Sequence, residues 1–324
     1  MKPITYLKDH IDKHPGAQLQ DLLKLCYQAA NGAEHLMNDA VRQYFDEEFA
    51  AVPPREGQLC EPICEAVCRV HLDVWKQRGL PADWLYALFA RSQWDKEDMT
   101  PWLDALQTLG YAVPSDYRQN PHPVHHSEVF RDAEHPAYRL VSRDQCRLIP
   151  ILERMGRITA IDGRAASGKT TLASDLAAVT GASVIHMDDF FLPMQLRTPE
   201  RLAQPGGNID YDRFLCEVLP YLGRDFSYRR FDCSRMALGE HRTVAAGRVI
   251  VEGSYSLHPK FGNYADLRVF SDVEKDEQMR RIRRRNPELA DRFFDEWIPM
   301  EECYFSAFSI RENAILVKNE HGRM

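Results

Sequence analysis

One run, Gly163-Arg164-Ala165-Ala166-Ser167-Gly168-Lys169-Thr170-Thr171, restricts the fold more than any other part of the chain. It fits the pattern G-x-x-x-x-G-K-[ST], with Gly163, Gly168, Lys169 and Thr170 in the fixed places. Before it, residues 158–161 form a short apolar stretch suited to a buried parallel strand, and residues 170–178 read as a helix. A strand, a glycine-rich bend and a helix in that order make an anion cradle. Glycine lets backbone N–H groups close around phosphate oxygens, and the helix N-terminus adds partial positive charge. Lys169 can reach the outer phosphates, and the Thr170 hydroxyl can ligate Mg²⁺. ATP with Mg²⁺ is therefore the expected ligand of residues 163–171. A chance match in a turn before a helix is the competing reading, and the flanking strand and helix weigh against it.

The chain has 324 residues, more than one ordinary domain, so two are expected. A net charge of −7 argues against a general nucleic-acid-binding surface, and no nucleic acid partner is expected. No apolar run approaches a membrane span, so no membrane association is expected either. The first residues carry Lys8, Asp9, Asp12 and Lys13, unlike a signal peptide, and the 8 cysteines read as reduced thiols. A cytoplasmic location is the expectation, with homo-oligomerisation left open.

Residues 1–140 are expected to form a mainly helical domain of unassigned role. Residues 6–49 show a helical pattern broken at Asn31-Gly32, and Glu34 and His35 open its second part. An ordinary acidic helix start is the plainer reading of that pair, ahead of chemistry. Cys60, Cys64 and Cys68 follow at i, i+4 and i+8, with His71 beyond. On a helix they would form one stripe, but the spacing matches no zinc pattern, and cysteine packs well as a small apolar residue. Residues 80–109 read as helical, with Trp84, Leu88, Trp102 and Leu106 as core. Residues 114–136 are rich in proline and histidine. Their His122, His125, His126 and His135 could form a metal or phosphate site together with His35, and Glu34, His35, His125 and His126 are the residues a second activity would use. Loop residues with local hydrogen bonds are the plainer reading. Residues 144–155 look like an amphipathic helix belonging to the second domain, 141–324.

In that second half, residues 183–187 read as a strand that delivers Asp188-Asp189-Phe190-Phe191 at its end. Ligands of open parallel sheets sit beyond the carboxyl ends of strands. An acid there can accept a hydroxyl proton or hold hydrated Mg²⁺; helix capping is the alternative. Residues 208–221 read as a polar entry and a helix, and a hairpin-like turn is expected at Gly239. Residues 248–253 form a third buried strand ending in Glu252, an acid suited to the metal. Residues 267–270 and 315–317 read as fourth and fifth strands. Between them Arg280, Arg281, Arg283, Arg284 and Arg285 could be a solvated helix face or a nucleic-acid patch, but after a phosphate-binding bend they best suit a lid that closes over transferring phosphate. Arg281 and Arg284 share a face and are the expected pair.

Taken with Met187-Asp188-Asp189-Phe190-Phe191, Asp210 before Phe214, Phe231-Asp232, Val251-Glu252-Gly253 and the Arg281/Arg284 segment, the glycine-rich run resembles the uridine kinase and phosphoribulokinase family of P-loop kinases. The resemblance covers about residues 142–318. It implies an α/β fold, a parallel P-loop NTPase sheet of five strands flanked by helices. It also implies ATP-dependent phosphorylation of a hydroxyl on a small molecule, uridine or a similar nucleoside foremost. By resemblance, Asp188 is the general base, Glu252 lies near Mg²⁺ with Thr170, Asp210 meets sugar hydroxyls, and Arg235 stands on the substrate side. Phe231 replaces the family's tyrosine, so one hydroxyl is missing, and the N-terminal half has no counterpart in ordinary uridine kinases. Two other classes stay open. One is a nucleotide-gated regulatory or binding protein whose first domain grips a partner. The other is a bifunctional enzyme using Glu34, His35, His125 and His126.

Overall fold

Tyr138–Ser142 is the segment that decides where the chain divides. Its Leu140 and Val141 are buried, and it pairs antiparallel with Val67–His71. It therefore belongs to the first unit. In this computed structural model, which describes residues 2–318, the compact units are Met1–Glu153 and Arg154–Met324. The expected boundary at 140 falls inside a strand, and the structure moves it. The helix expected over 144–155 is two short pieces, Arg143–Cys146 and Ile149–Leu152, and stays with the first unit. Pro150, at the start of the second piece, has no N–H to continue the first.

The first unit is mainly helical, as expected, with Pro3–Lys13, Leu19–Asn31, Val41–Ala51, Ala82–Ala90 and Thr100–Thr108 as its longer helices. It also holds a sheet, β1 (Cys60–Pro62), β2 (Val67–His71) and β3 (Tyr138–Ser142), in the order β1-β2-β3. The cysteine stripe is thus no helix. Cys60 and Cys68 sit on adjacent antiparallel strands, and Cys64 lies in the turn between them. Val67 and Val70 favour the extended form, and the helical spacing of the sulfurs was coincidental. The helix expected over 80–109 is interrupted before Thr100. There the Asp98 carboxylate accepts the Thr100 N–H at 2.9 Å and its hydroxyl at 2.8 Å, and Pro101 starts a new helix. Leu22, Leu25, Trp75, Leu85, Leu88 and Leu106 are fully buried between helices and sheet. Each such leucine contributes about 1.5–3 kcal/mol of transfer free energy.

The second unit contains β4 (Ile158–Gly163), β5 (Ser183–His186), a hairpin of β6 (Phe226–Asp232) and β7 (Ala237–Val244), β8 (Val249–Glu252), β9 (Leu267–Asp272) and β10 (Ile315–Lys318). Except for the hairpin these form one parallel sheet of five strands in the order β10-β9-β4-β8-β5. The α/β sheet flanked by helices is therefore present as the sequence implied. β8 is buried at every position, as a strand covered on both faces must be. From β4 the chain crosses to the edge strand β5, returns as β8 on one side of β4, then continues as β9 on the other. That reversal opens a crevice at the carboxyl end of β4. The hairpin turns at residues 233–236, not at Gly239, which lies within β7. The Asp232 carboxylate sets that turn by accepting the Ser234 N–H (2.9 Å) and hydroxyl (2.6 Å). The helix expected to reach Tyr221 ends at Glu217, and a short 3₁₀ turn follows around Pro220. Among the described residues no helix is long and apolar enough to cross a membrane.

Candidate active site

The glycine-rich bend follows β4 directly and leads into the helix Lys169–Thr180. Gly163 has φ +137°, and a Cβ there would lie 2.0 Å from the Ser271 carbonyl of β9, so only glycine fits. Gly168 (φ +90°) turns the chain into the helix, and Ala166 takes φ +57° at the crest of the bend. The Lys169 ammonium donates to the carbonyls of Gly163 and Arg164, both at 2.8 Å. The strand beneath is pinned by Asp162. Its buried carboxylate accepts the N–H groups of Gly163 (2.7 Å), Tyr255 (3.2 Å) and Leu257 (3.0 Å) and the Tyr304 hydroxyl (2.8 Å). Burial pushes this carboxyl above its ordinary range against the pull of those donors.

Across the crevice stands Glu252 at the end of β8, with both carboxylate oxygens 3.3 Å from the Thr170 hydroxyl. His186, its register partner on β5, bonds the same carboxylate through Nδ1, and that bond raises the imidazole's pKa. Just past His186 the two adjacent acids separate. Asp189 is buried and accepts the Tyr228 hydroxyl at 2.8 Å, with Arg242 at 3.2 Å. Asp188 faces solvent. The crowded walls of the cleft raise its pKa, the Glu252 charge adds to this, and Lys169 and His186 oppose it. Of the pair, Asp189 anchors the turn, and Asp188 is the exposed acid within range of the Glu252 and Lys169 charges.

The arginine-rich segment is the helix Lys275–Arg285. Arg281 is buried, bonds Glu277 at 2.7 Å and donates to the Ala166 carbonyl at 3.2 Å. Gln278 likewise donates to the Ala165 carbonyl at 3.0 Å. This face of the helix braces the bend, whereas Arg284, one turn on, is exposed. On the other side Asp210 caps the helix Tyr211–Glu217, and its N–H donates to the Phe190 carbonyl at 2.7 Å, beside the acidic turn. Phe231 is buried in the hairpin opposite Leu238. Arg235 is 81% exposed on the hairpin turn, held loosely to Asp232 at 3.8 Å. Cys233 on the same turn feels the Asp188 charge, which reinforces the effect of burial in raising its thiol's pKa.

Three further residues belong to the site. Glu301, on the helix Ile298–Phe308, accepts the Ala165 N–H at 2.9 Å and the Ser254 hydroxyl at 2.5 Å. Burial raises its pKa and Lys169 opposes that. Tyr304, three residues on, reaches Asp162. A carboxylate and a hydroxyl at i, i+3 within an apolar helix were the available signal. His186 is the third, carried on the strand that delivers Asp188.

No family model matches the chain, and no curated protein matches it. Among solved structures it is similar to a possible uridine kinase from Bacillus stearothermophilus, at 19% identity and a TM-score of 0.41 over 53% of this chain and 95% of that one. It is also similar to a proposed fructose transport system kinase from Silicibacter sp. TM1040, at 21% identity and a TM-score of 0.37 over 54% and 96%. A third is the protein TT1252 from Thermus thermophilus, at 17% identity and a TM-score of 0.33 over 52% and 91%.

In the first unit the set Glu34, His35, His125 and His126 does not assemble. Glu34 pairs with Lys96 at 2.8 Å and, with His35, lines a small cavity of about 160 Å³. His125 is exposed. His126 is buried, bonded to Asp21 at 2.9 Å and to the Tyr138 hydroxyl at 2.8 Å. Its hydrogen bonds are those of a core residue, and the bifunctional reading loses its residues.

Proposed function

We propose that the second unit is an ATP-dependent kinase that transfers the γ-phosphoryl group to a hydroxyl of a small metabolite, a nucleoside-like acceptor being the expected class. The observation that carries this is Asp188, exposed just past β5 and close enough to Glu252 and to Lys169 of the bend 163–171 to feel their charges. The bend's glycine geometry and helix N-terminus suit the nucleotide phosphates. Lys169 would exchange its two loop carbonyls for phosphate oxygens. Thr170 and Glu252 supply hard oxygen donors 3.3 Å apart, a set that suits Mg²⁺. Bound there, the ion would neutralise charge on the phosphates.

Chemistry then rests on Asp188. The acceptor O–H gives its proton to the Asp188 carboxylate as the oxygen bonds to the γ-phosphorus. The bond from that phosphorus to the bridging oxygen breaks, and ADP leaves with the bond's electron pair. The raised pKa makes Asp188 a stronger base than an ordinary aspartate. Arg281 keeps the bend in shape, and Arg284 is the exposed cation able to close over the reacting phosphate. Asp210 and the hairpin end with Arg235 would meet the acceptor. Phe231, turned into the hairpin's buried side, offers it no polar group.

The test is to incubate the full chain with ATP, Mg²⁺ and a panel of nucleosides, sugars and small alcohols, following ADP. Release that depends on one acceptor supports the kinase. No release with any acceptor, alongside ATP-dependent retention of a protein partner, would favour the nucleotide-gated regulatory reading instead.

A further inference from the structure

The first unit brings together three sulfurs from three separate segments. Cys60 comes from β1, Cys68 from β2 and Cys146 from the helix Arg143–Cys146 that follows β3. Their Sγ atoms all lie within 4.8 Å of one another, and those of Cys60 and Cys146 are 3.7 Å apart. Cys64, four residues from both Cys60 and Cys68, is not part of this group; its thiol points to the Ala29 carbonyl at 3.5 Å.

We propose that Cys60, Cys68 and Cys146 bind a single zinc ion through three thiolates, with the fourth position left to water or another small ligand. Zinc–sulfur bonds of about 2.3 Å in a tetrahedron set the sulfurs about 3.8 Å apart. The Cys60–Cys146 separation already matches that edge, and the third sulfur needs to move in by no more than about 1 Å to complete the face. A disulfide requires about 2.05 Å between sulfurs and leaves the third thiol over. Simple apolar packing does not require the two thiols of the hairpin to meet a third from 78 residues or more along the chain. Thiolate is a soft ligand that selects zinc or copper(I) over magnesium and calcium. Three thiolates and Zn²⁺ leave one negative charge, and Arg143, whose charge acts on Cys60 and Cys68, lies near enough to offset it. Among the described residues no fourth histidine, cysteine or carboxylate joins the group, so one coordination position is left for an outside ligand, and Cys60 and Cys146 are only half-buried. Such an ion would cross-link both strands of the hairpin to the end of the unit, a staple for a sheet of three short strands.

Full-length protein, purified under reduction without chelator, would be analysed for metal, then stripped and titrated with Co²⁺. The expected result is one zinc per chain and, with cobalt, both the thiolate charge-transfer absorption and the visible bands of a tetrahedral site. These are lost in Cys60→Ser, Cys68→Ser and Cys146→Ser and kept in Cys216→Ser, whose thiol is exposed in the other unit. If the serine variants fail to fold, the wild-type spectrum decides, since its charge-transfer intensity counts the thiolates. Retained zinc with three thiolates upholds the site. Reduced wild type that keeps no zinc and shows no cobalt bands, or bands that persist when all three cysteines are replaced, overturns it.

Discussion

Replacing Asp162 with asparagine tests how the fold holds the bend. The carboxylate accepts four hydrogen bonds, two on each oxygen, from the bend, the loop after β8 and the helix Ile298–Phe308. An asparagine keeps one acceptor oxygen and turns an NH₂ toward the other two partners. The Tyr304 hydroxyl can rotate to accept from it, but the Leu257 N–H cannot, so a donor faces a donor. A buried donor left unsatisfied costs about 1–3 kcal/mol, and loss of charge assistance in the remaining bonds adds about 1–2 kcal/mol. Relief from burying a charge offsets part of this. The net expectation is a loss of about 3 kcal/mol, a fall of about 6–12 °C in the melting point of a unit this size. Hydrogen exchange read on peptides spanning β4 and β8 measures it in the second unit directly. Protection unchanged to within about 0.5 kcal/mol would refute the view that this carboxylate organises the bend.

Asp188→Asn should bind ATP with an affinity near that of the wild type and lose about a hundredfold or more in single-turnover phosphoryl transfer; equal turnover would remove Asp188 as the base. Gly163→Ala combines the 2.0 Å approach to the Ser271 carbonyl with a φ of +137°, and should cost more than about 3 kcal/mol by urea unfolding. Glu301→Ala frees the Ala165 N–H from its anchor and should raise KM for ATP while leaving the circular dichroism spectrum intact. His126 is buried and its pKa is pushed down to about 4, mainly by burial, so protonation favours the unfolded chain. Its contribution is complete above about pH 6.5 and is lost as pH falls toward 4, up to about 3 kcal/mol. Tryptophan fluorescence reports largely on the first unit, which holds Trp75, Trp84, Trp94 and Trp102, and the urea midpoint should drop between pH 7 and 5. Equal midpoints would contradict that.

Sequence was most informative where one residue type answers to one backbone demand. Gly163 and Gly168, the apolar run of β8 and the acids closing β5 and β8 could be read directly, because strand, bend and helix leave local marks. The expected strands of the parallel sheet all appear. Contacts made over long sequence distances left no such mark. Glu301 meets Ala165, and Tyr304 meets Asp162, across more than half the second unit. Arg281 and Arg284 looked equivalent by helical spacing, yet only Arg281 is buried against the bend. In the first unit the helical spacing of Cys60, Cys64 and Cys68 hid a hairpin, since sulfurs four apart fit one helix face while Val67 and Val70, on either side of Cys68, favour strand. Cys146 could not be added to them from spacing, because β3 alone brings it there.

The central claim is that the bend after β4 grips the phosphates of a nucleotide. Titration calorimetry of MgATP into the full chain and into Lys169→Ala measures it without knowledge of the acceptor. Loss of one charge-assisted contact predicts a single site in the wild type and binding weakened about 10–100-fold in the variant. No binding to the wild type, or equal affinity in both proteins, would contradict the account.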